Sequence, residues 1–386
     1  MYHPSLIKVW FLIGACFISI IALAPIASAE NINVWLGTGR SSLSRGIYHC
    51  QLDTSSGKLS DPTLVAEMDG PGFLAKHPSL PILYAVGGLK NEQVVAAFGI
   101  EGLQEKKSLK LLNAVPIGDG GAAHVSLDRS GKTMLTAQYG SGSVAVFSMN
   151  QDGSIQERTQ LMKHEGGSKI VPARQDTPHA HWTGVSPDNR FAFVPDLGLD
   201  QVVIYKLEAD KSKLTRNGAG IVLPGSGPRH MKFHPNGRWI YVLNELSVTV
   251  TVFDYDASAG TMTPRQTVES VPAAELAREK AKSGSEIRVH PNGKFVYSAN
   301  RGHDSITVYE VNPNNGELKV IQRENARSVT PRNFNISPDG KWLLSAGQIS
   351  HTLAAFSLDD ATGLITFNQN CVLAPSAICV MFDDGR

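Results

Sequence analysis

Past residue 30 the chain is built largely from short runs with a period of two. Val248, Val250 and Val252 alternate with Thr249 and Thr251, which places the valines on one face of a strand and the threonines on the other. Two further runs precede this one, Met231-Lys232-Phe233 and Trp239 to Leu243, joined by His234-Pro235-Asn236-Gly237. In that turn Pro fixes φ, and Asn-Gly supplies the positive-φ positions a tight reversal needs. The stretch from Gly225 to Val252 therefore reads as consecutive antiparallel strands.

The same turn recurs along the chain as His77-Pro78, Leu127-Asp128-Arg129-Ser130-Gly131, Ser186-Pro187-Asp188-Asn189, His290-Pro291-Asn292-Gly293 and Ser337-Pro338-Asp339-Gly340. Seven positions after the first residue of each copy comes a large side chain: Tyr84, Met134, Phe193, Tyr241, Tyr297 or Leu344. Each copy continues through a polar loop into a strand such as Val202 to Tyr205 or Ile306 to Tyr309, then an Asp/Asn/Gly-rich turn such as Asn312 to Leu318. Four short strands per unit, at a period of about 50 residues, predict an all-β fold of four-stranded β-propeller blades rather than a solenoid.

The two ends supply the seventh blade. Val34-Trp35-Leu36, Gly46 to Leu52 and the turn Asp53 to Leu59 read as the second strand, third strand and entry to the fourth, with the first strand missing. Ala377 to Phe382 reads as that innermost strand, so the ring is predicted to close by pairing N- and C-terminal strands in one blade, which leaves few open edges. Residues 30–386 then form a single propeller domain. Pro272 to Gly284 breaks the repeat with strong helix formers, predicting a short helix over one face, either a lid or a solvated spacer.

Residues 1–29 are of another kind. Val9 to Ile26 is nearly continuous apolar sequence, and Ala27-Ser28-Ala29 supplies the small-x-small pattern of a cleavage site. A cleaved signal peptide is expected, with an uncleaved anchor as the alternative. That reading implies a periplasmic or secreted protein with no stable membrane insertion after cleavage. The mature chain then keeps Cys50, Cys371 and Cys379, an odd number with no zinc-like spacing. All three read as small core hydrophobes, although Cys50 and Cys379 share a blade and a disulfide between them is conceivable. With 36 basic and 35 acidic residues and no basic patch, nucleic acid is not an expected partner.

A repeat explains strands and turns, but not polar groups at its axial ends. Pro178-His179-Ala180-His181, Gly227-Pro228-Arg229-His230, Asn244-Glu245, Glu286-Ile287-Arg288, Asn300-Arg301 and Pro331-Arg332-Asn333 come from successive units and converge there. His234 and His290 belong to the turn itself and read as structural. Strict alternation would point His230 away from Arg229, to the opposite face of its strand. His179 and His181 fall on the same side, but no carboxylate has zinc-site spacing to them, so neither metal nor cofactor is expected.

These motifs, chiefly Gly225 to Gly237, Asn244-Glu245-Leu246, Ser298 to Ile306 and Thr330 to Phe334, resemble the seven-bladed propeller lactonases that include bacterial 6-phosphogluconolactonase and fungal carboxymuconate cycloisomerase. The resemblance implies a catalytic set of His181, Arg229, Glu245 and Arg301. His179, His230, Asn244, Glu286, Asn300, Arg332 and Asn333 are the expected substrate-binding groups. Arg288 departs from the pattern, standing where relatives often carry His. The implied activity is hydrolysis of a sugar lactone, unphosphorylated if the protein is exported; a cycloisomerase and a non-catalytic ligand-binding propeller are the alternatives. In the lactonase reading Glu245 or His181 activates water, while Arg229 and Arg301 hold the oxyanion or an anionic substrate group. In the non-catalytic reading Glu245 and Arg229 form a buried ion pair.

Overall fold

The computed structural model describes Met1 and residues 31–103 and 106–383. The segment read as a signal peptide lies outside the described residues. No helix among the described residues is long and apolar enough to cross a membrane.

Seven four-stranded antiparallel sheets follow one another along the chain. Blade 1 combines Ala377–Asp383 as its innermost strand with Asn31–Thr38, Gly46–Asp53 and Thr63–Glu67. Its closing pair runs from Val34 opposite Phe382 to Thr38 opposite Ala377, so the expected ring closure is present. The innermost strands of blades 2 to 7 are Asp69–Lys76, Ala122–Leu127, Gly184–Val185, Pro228–Phe233, Ser283–Val289 and Pro331–Ile336.

Blades adhere through apolar faces. Between blades 5 and 6, for example, Tyr241, Leu243, Val250 and Val252 pack against Ile287, Val296 and Tyr309. Val250 and Val252 are thus inter-blade glue, each fully buried aliphatic side chain contributing about 1.5–3 kcal/mol, whereas Val248 precedes the strand at φ +55° and packs instead with Val271 and Leu276. Polar clasps fix how successive blades meet. His234 Nδ1 accepts the Asn236 N–H inside its own turn at 3.1 Å, while Nε2 donates to Gly293 O of the next turn at 2.8 Å. His290 repeats the arrangement with Asn292 and Gly340, so both turn histidines are structural. The tyrosines at the seventh position reach further out, Tyr241 Oη donating to Gly316 O and Tyr297 Oη to Gly363 O. Gly316 has φ +75° with the Trp239 ring against its α-carbon, so both conformation and space demand glycine.

Three sequence expectations need correction. In blade 3 the turn begins at Asp128, whose Oδ1 accepts the Thr133 N–H at 2.7 Å as the serine hydroxyl does in the copy at Ser186. The seventh position is therefore Leu135, paired with Ser126, and not Met134. The predicted helix shrinks to Ala273–Leu276, and the rest of the segment turns before the strand begins at Ser283. Cys371 lies on an exposed outer strand rather than in the core. Cys50 and Cys379 are buried but free; they occupy different core clusters, one shared with blade 7 and one with blade 2, and Asn31–Thr38 lies between their strands.

Candidate active site

The innermost strands share an irregularity that aims side chains at the axis. Each of blades 2, 3, 5, 6 and 7 has a register shift near the start of this strand, as between Pro228 and His230 and between Pro331 and Asn333. A bulge inserts an extra residue and re-aims its neighbours. Arg229 and Arg332 are the inserted residues in blades 5 and 7. This overturns the expectation that His230 points away from Arg229, because alternation is broken between them. Both side chains are buried, and Arg229 Nη1 lies 3.1 Å from His230 Nε2.

Below the bulges the axis is plugged. Phe73, His124 and His230, from three different blades, meet with ring centroids 4.0 to 6.0 Å apart. Trp182 packs on His124 at 5.3 Å. Above the plug lies a cavity of about 180 Å³, lined by His181, Arg229, His230, Arg332 and Asn333, with Phe73 and Ile378 as apolar wall. A larger cleft, about 730 Å³, lies at the rim between blades 1 and 2; there the exposed Arg40 and Asp69 pair with each other.

Glu245 organises the charges. Its Oε2 accepts from Arg229 Nε at 2.9 Å and Arg301 Nη2 at 3.1 Å, and its Oε1 from Arg174 Nη2 at 2.7 Å. Burial alone would raise this carboxyl, but Arg301, Arg229 and the other cations hold it well below the usual carboxylate range. Arg229 also donates to Ser285 O, and Arg301 to Gly284 O at 3.0 Å. Burial, and then repulsion from Arg301, brings Arg229 down to about 9 and Arg332 to about 10, so both stay charged at neutral pH.

His181 is placed by an interrupted strand. Blade 4 keeps only Gly184–Val185 and an isolated bridge between Ala180 and Asp196. The approach is pinned by His164, whose Nδ1 lies 2.6 Å from Asp196 Oδ2, and by Asp196 Oδ1 accepting the His179 N–H at 2.7 Å. His181 Nε2 lies 4.0 Å from Glu245 Oε2, and its Nδ1 has no hydrogen-bond partner among the described residues. Burial, then the nearby Arg229 and His230, keep this imidazole neutral, well below the usual histidine range.

Buried neutral histidines set a pH response. His124, His181 and His230 all have folded values well below 6.5, burial being the main cause, whereas the unfolded chain takes up protons near 6.5. As pH falls below 6.5 the unfolded state binds more protons and stability declines, by up to about 1.4 kcal/mol per pH unit for each histidine. The urea midpoint is expected to drop between pH 6.5 and 5, and less steeply in His124→Gln.

Of the other expected residues, Glu286 and Asn333 meet at the axis, where the Asn333 amide donates to Glu286 Oε2 and His230 Nδ1 lies 3.2 Å from Oε1. His179 stacks on Tyr139 at 4.6 Å, with Nδ1 on Tyr139 O at 2.8 Å, outside the cavity lining. Asn244 and Asn300 turn into their own blades, donating to Thr249 and Thr251 and to Ser305 and Thr307. Arg174 and Tyr139 were missed. Arg174 sits in the segment between blades 3 and 4, held by Gln175, whose amide donates to Leu197 O and Asp200 Oδ1. The only sequence signal was the unusual length of that connection.

Residues 33–382 match the family model described as lactonase, 7-bladed beta-propeller. The chain belongs to this family. It is 36% identical over 348 residues to the 6-phosphogluconolactonase of Bacillus subtilis, covering 90% of this chain and 97% of that one. It is 34% identical over 345 residues to the 6-phosphogluconolactonase of Formosa agariphila, covering 87% and 95%. The solved structure of the Pseudomonas aeruginosa periplasmic gluconolactonase superposes with a TM-score of 0.84 at 28% identity, covering 92% of this chain and 99% of that one. The expected fold, family and general enzyme class, a lactone-hydrolysing carboxylic ester hydrolase, therefore hold.

Proposed function

We propose that the axial cavity hydrolyses a phosphorylated sugar lactone, with His181 as the base and the arginines as anion partners. The observation that carries the reading is Arg332. It is charged and lines the cavity, yet makes no hydrogen bond or ion pair among the described residues. Arg174, Arg229 and Arg301 all share Glu245, so four guanidiniums face one carboxylate and leave a surplus of three positive charges. The tetrahedral oxyanion of lactone opening takes one of them, and a phosphate dianion matches the rest.

Glu245 is a poor base because its arginines hold it ionised. Neutral His181 can accept a proton from water, and Glu245 beside it stabilises the resulting imidazolium. The same imidazolium then returns the proton to the departing ring oxygen, giving the open hydroxy acid. Asn244 and Asn300, bonded within their blades, act as scaffold in this reading.

A second reading, hydrolysis of unphosphorylated gluconolactone after export, is favoured by residues 1–29 and by the relative named a periplasmic gluconolactonase. A pH-stat assay separates the two. The expected kcat/KM for 6-phosphogluconolactone exceeds that for gluconolactone by about ten- to a hundredfold, the worth of one charge-assisted contact. Arg332→Ala is expected to remove most of that preference. A ratio favouring gluconolactone selects the second reading, and no hydrolysis of either lactone sinks both.

A further inference from the structure

The innermost strands carry a second rank of side chains on the far side of the plug. Residues paired with the seventh-position side chains share one level: Ala75 with Tyr84, Ser126 with Leu135, Lys232 with Tyr241, Arg288 with Tyr297 and Asn335 with Leu344. These five are partly exposed, whereas His124, His230, Glu286 and Asn333, two residues nearer the lactone cavity on their strands, are buried. The rank therefore borders solvent at the end of the axis nearest the His-Pro-Asn-Gly turns.

Its charges do not balance. Lys232 makes no hydrogen bond or ion pair among the described residues; its Nζ stands 4.8 Å from the centre of the Trp182 ring. Glu286 is the carboxylate acting on it, but both oxygens are engaged. Oε1 accepts the Ile287 N–H at 2.9 Å and faces His230, while Oε2 takes the Asn333 amide and lies 3.5 Å from Arg288 Nη2. Arg288 on the neighbouring strand adds a second cation, which donates to Phe334 O at 3.3 Å. Burial, followed by repulsion from Arg288, lowers the Lys232 ammonium to about 7. At neutral pH Lys232 is then about half protonated, and with the one nearby carboxylate already in use, an anion entering beside Arg288 would complete its charging.

We propose that this end of the axis binds a small oxyanion, a phosphate or a carboxylate group, between Lys232 and Arg288. The site lies across the plug from the lactone cavity, and it stands whether or not the lactonase reading does. Trp182 holds the ammonium from one side through its ring face, leaving the other for the ligand.

Calorimetric titration of the full chain with inorganic phosphate, and separately with acetate, at matched chloride concentration tests it. Binding of either anion to a site that weakens at least about tenfold in Lys232→Met and in Arg288→Gln is expected, and titration in the Arg332→Ala background, which removes phosphate held by the lactone cavity, retains it. Phosphate or acetate showing this pattern identifies which oxyanion chemistry is used. Should Lys232→Met fail to fold, Arg288→Gln carries the same test. No binding of either anion, binding untouched by the folded variants, or binding lost only in Arg332→Ala, overturns the proposal.

Discussion

His181→Asn is expected to lower kcat by about a hundred- to ten-thousandfold with little change in KM or in urea stability. The imidazole is buried and neutral, and its Nδ1 makes no hydrogen bond among the described residues, so removing it costs the fold little. In the proposed reaction its value lies in taking a proton in front of Glu245, 4.0 Å away. Steady-state kinetics beside a denaturation curve check this, and wild-type turnover in the variant would remove His181 from the chemistry.

Glu245→Gln should behave differently, losing about 3–5 kcal/mol of stability as well as turnover. The amide keeps the shape of the side chain but leaves Arg174, Arg229 and Arg301 without their shared counter-charge. Because the folded carboxyl is held below its unfolded value, its contribution is present above the ordinary carboxylate range and fades only in acid. Urea denaturation at pH 7 measures the loss. An unchanged midpoint would mean that the arginines are balanced elsewhere and that Glu245 is not the knot of the site.

The contrast between these two residues shows what could be read from the chain. Valine and tyrosine positions with period two, spaced by a recurrent turn, reveal blades because sheet burial is written locally. The closing strand was legible for the same reason, since Ala377 to Phe382 has the pattern of a first strand without its blade. The candidate site was legible only as residue types. His230 was assigned to the wrong face because a bulge at Arg229 leaves no mark in an alternating pattern. Arg174 was missed because its reach to Glu245 depends on how the 164–182 connection folds back, through contacts such as Gln175 to Asp200. Lys232 passed as an ordinary strand residue, since only the plug above it and the engagement of Glu286 make its charge conspicuous. Local periodicity specifies strands; the match between charges drawn from blades 5, 6 and 7 and the segment before blade 4 is a property of the closed ring.

That closure also orders events in time. The ribosome delivers Asn31–Thr38 early and its partner Ala377–Asp383 more than three hundred residues later, yet the two must lie side by side. Until then blade 1 keeps a bare edge, and the Asn333 side-chain Oδ1 that accepts the Val380 N–H at 2.9 Å waits for its donor. Vectorial synthesis thus yields six blades that can zip against one another as they emerge, while the axial chemistry is completed by the last strand to arrive.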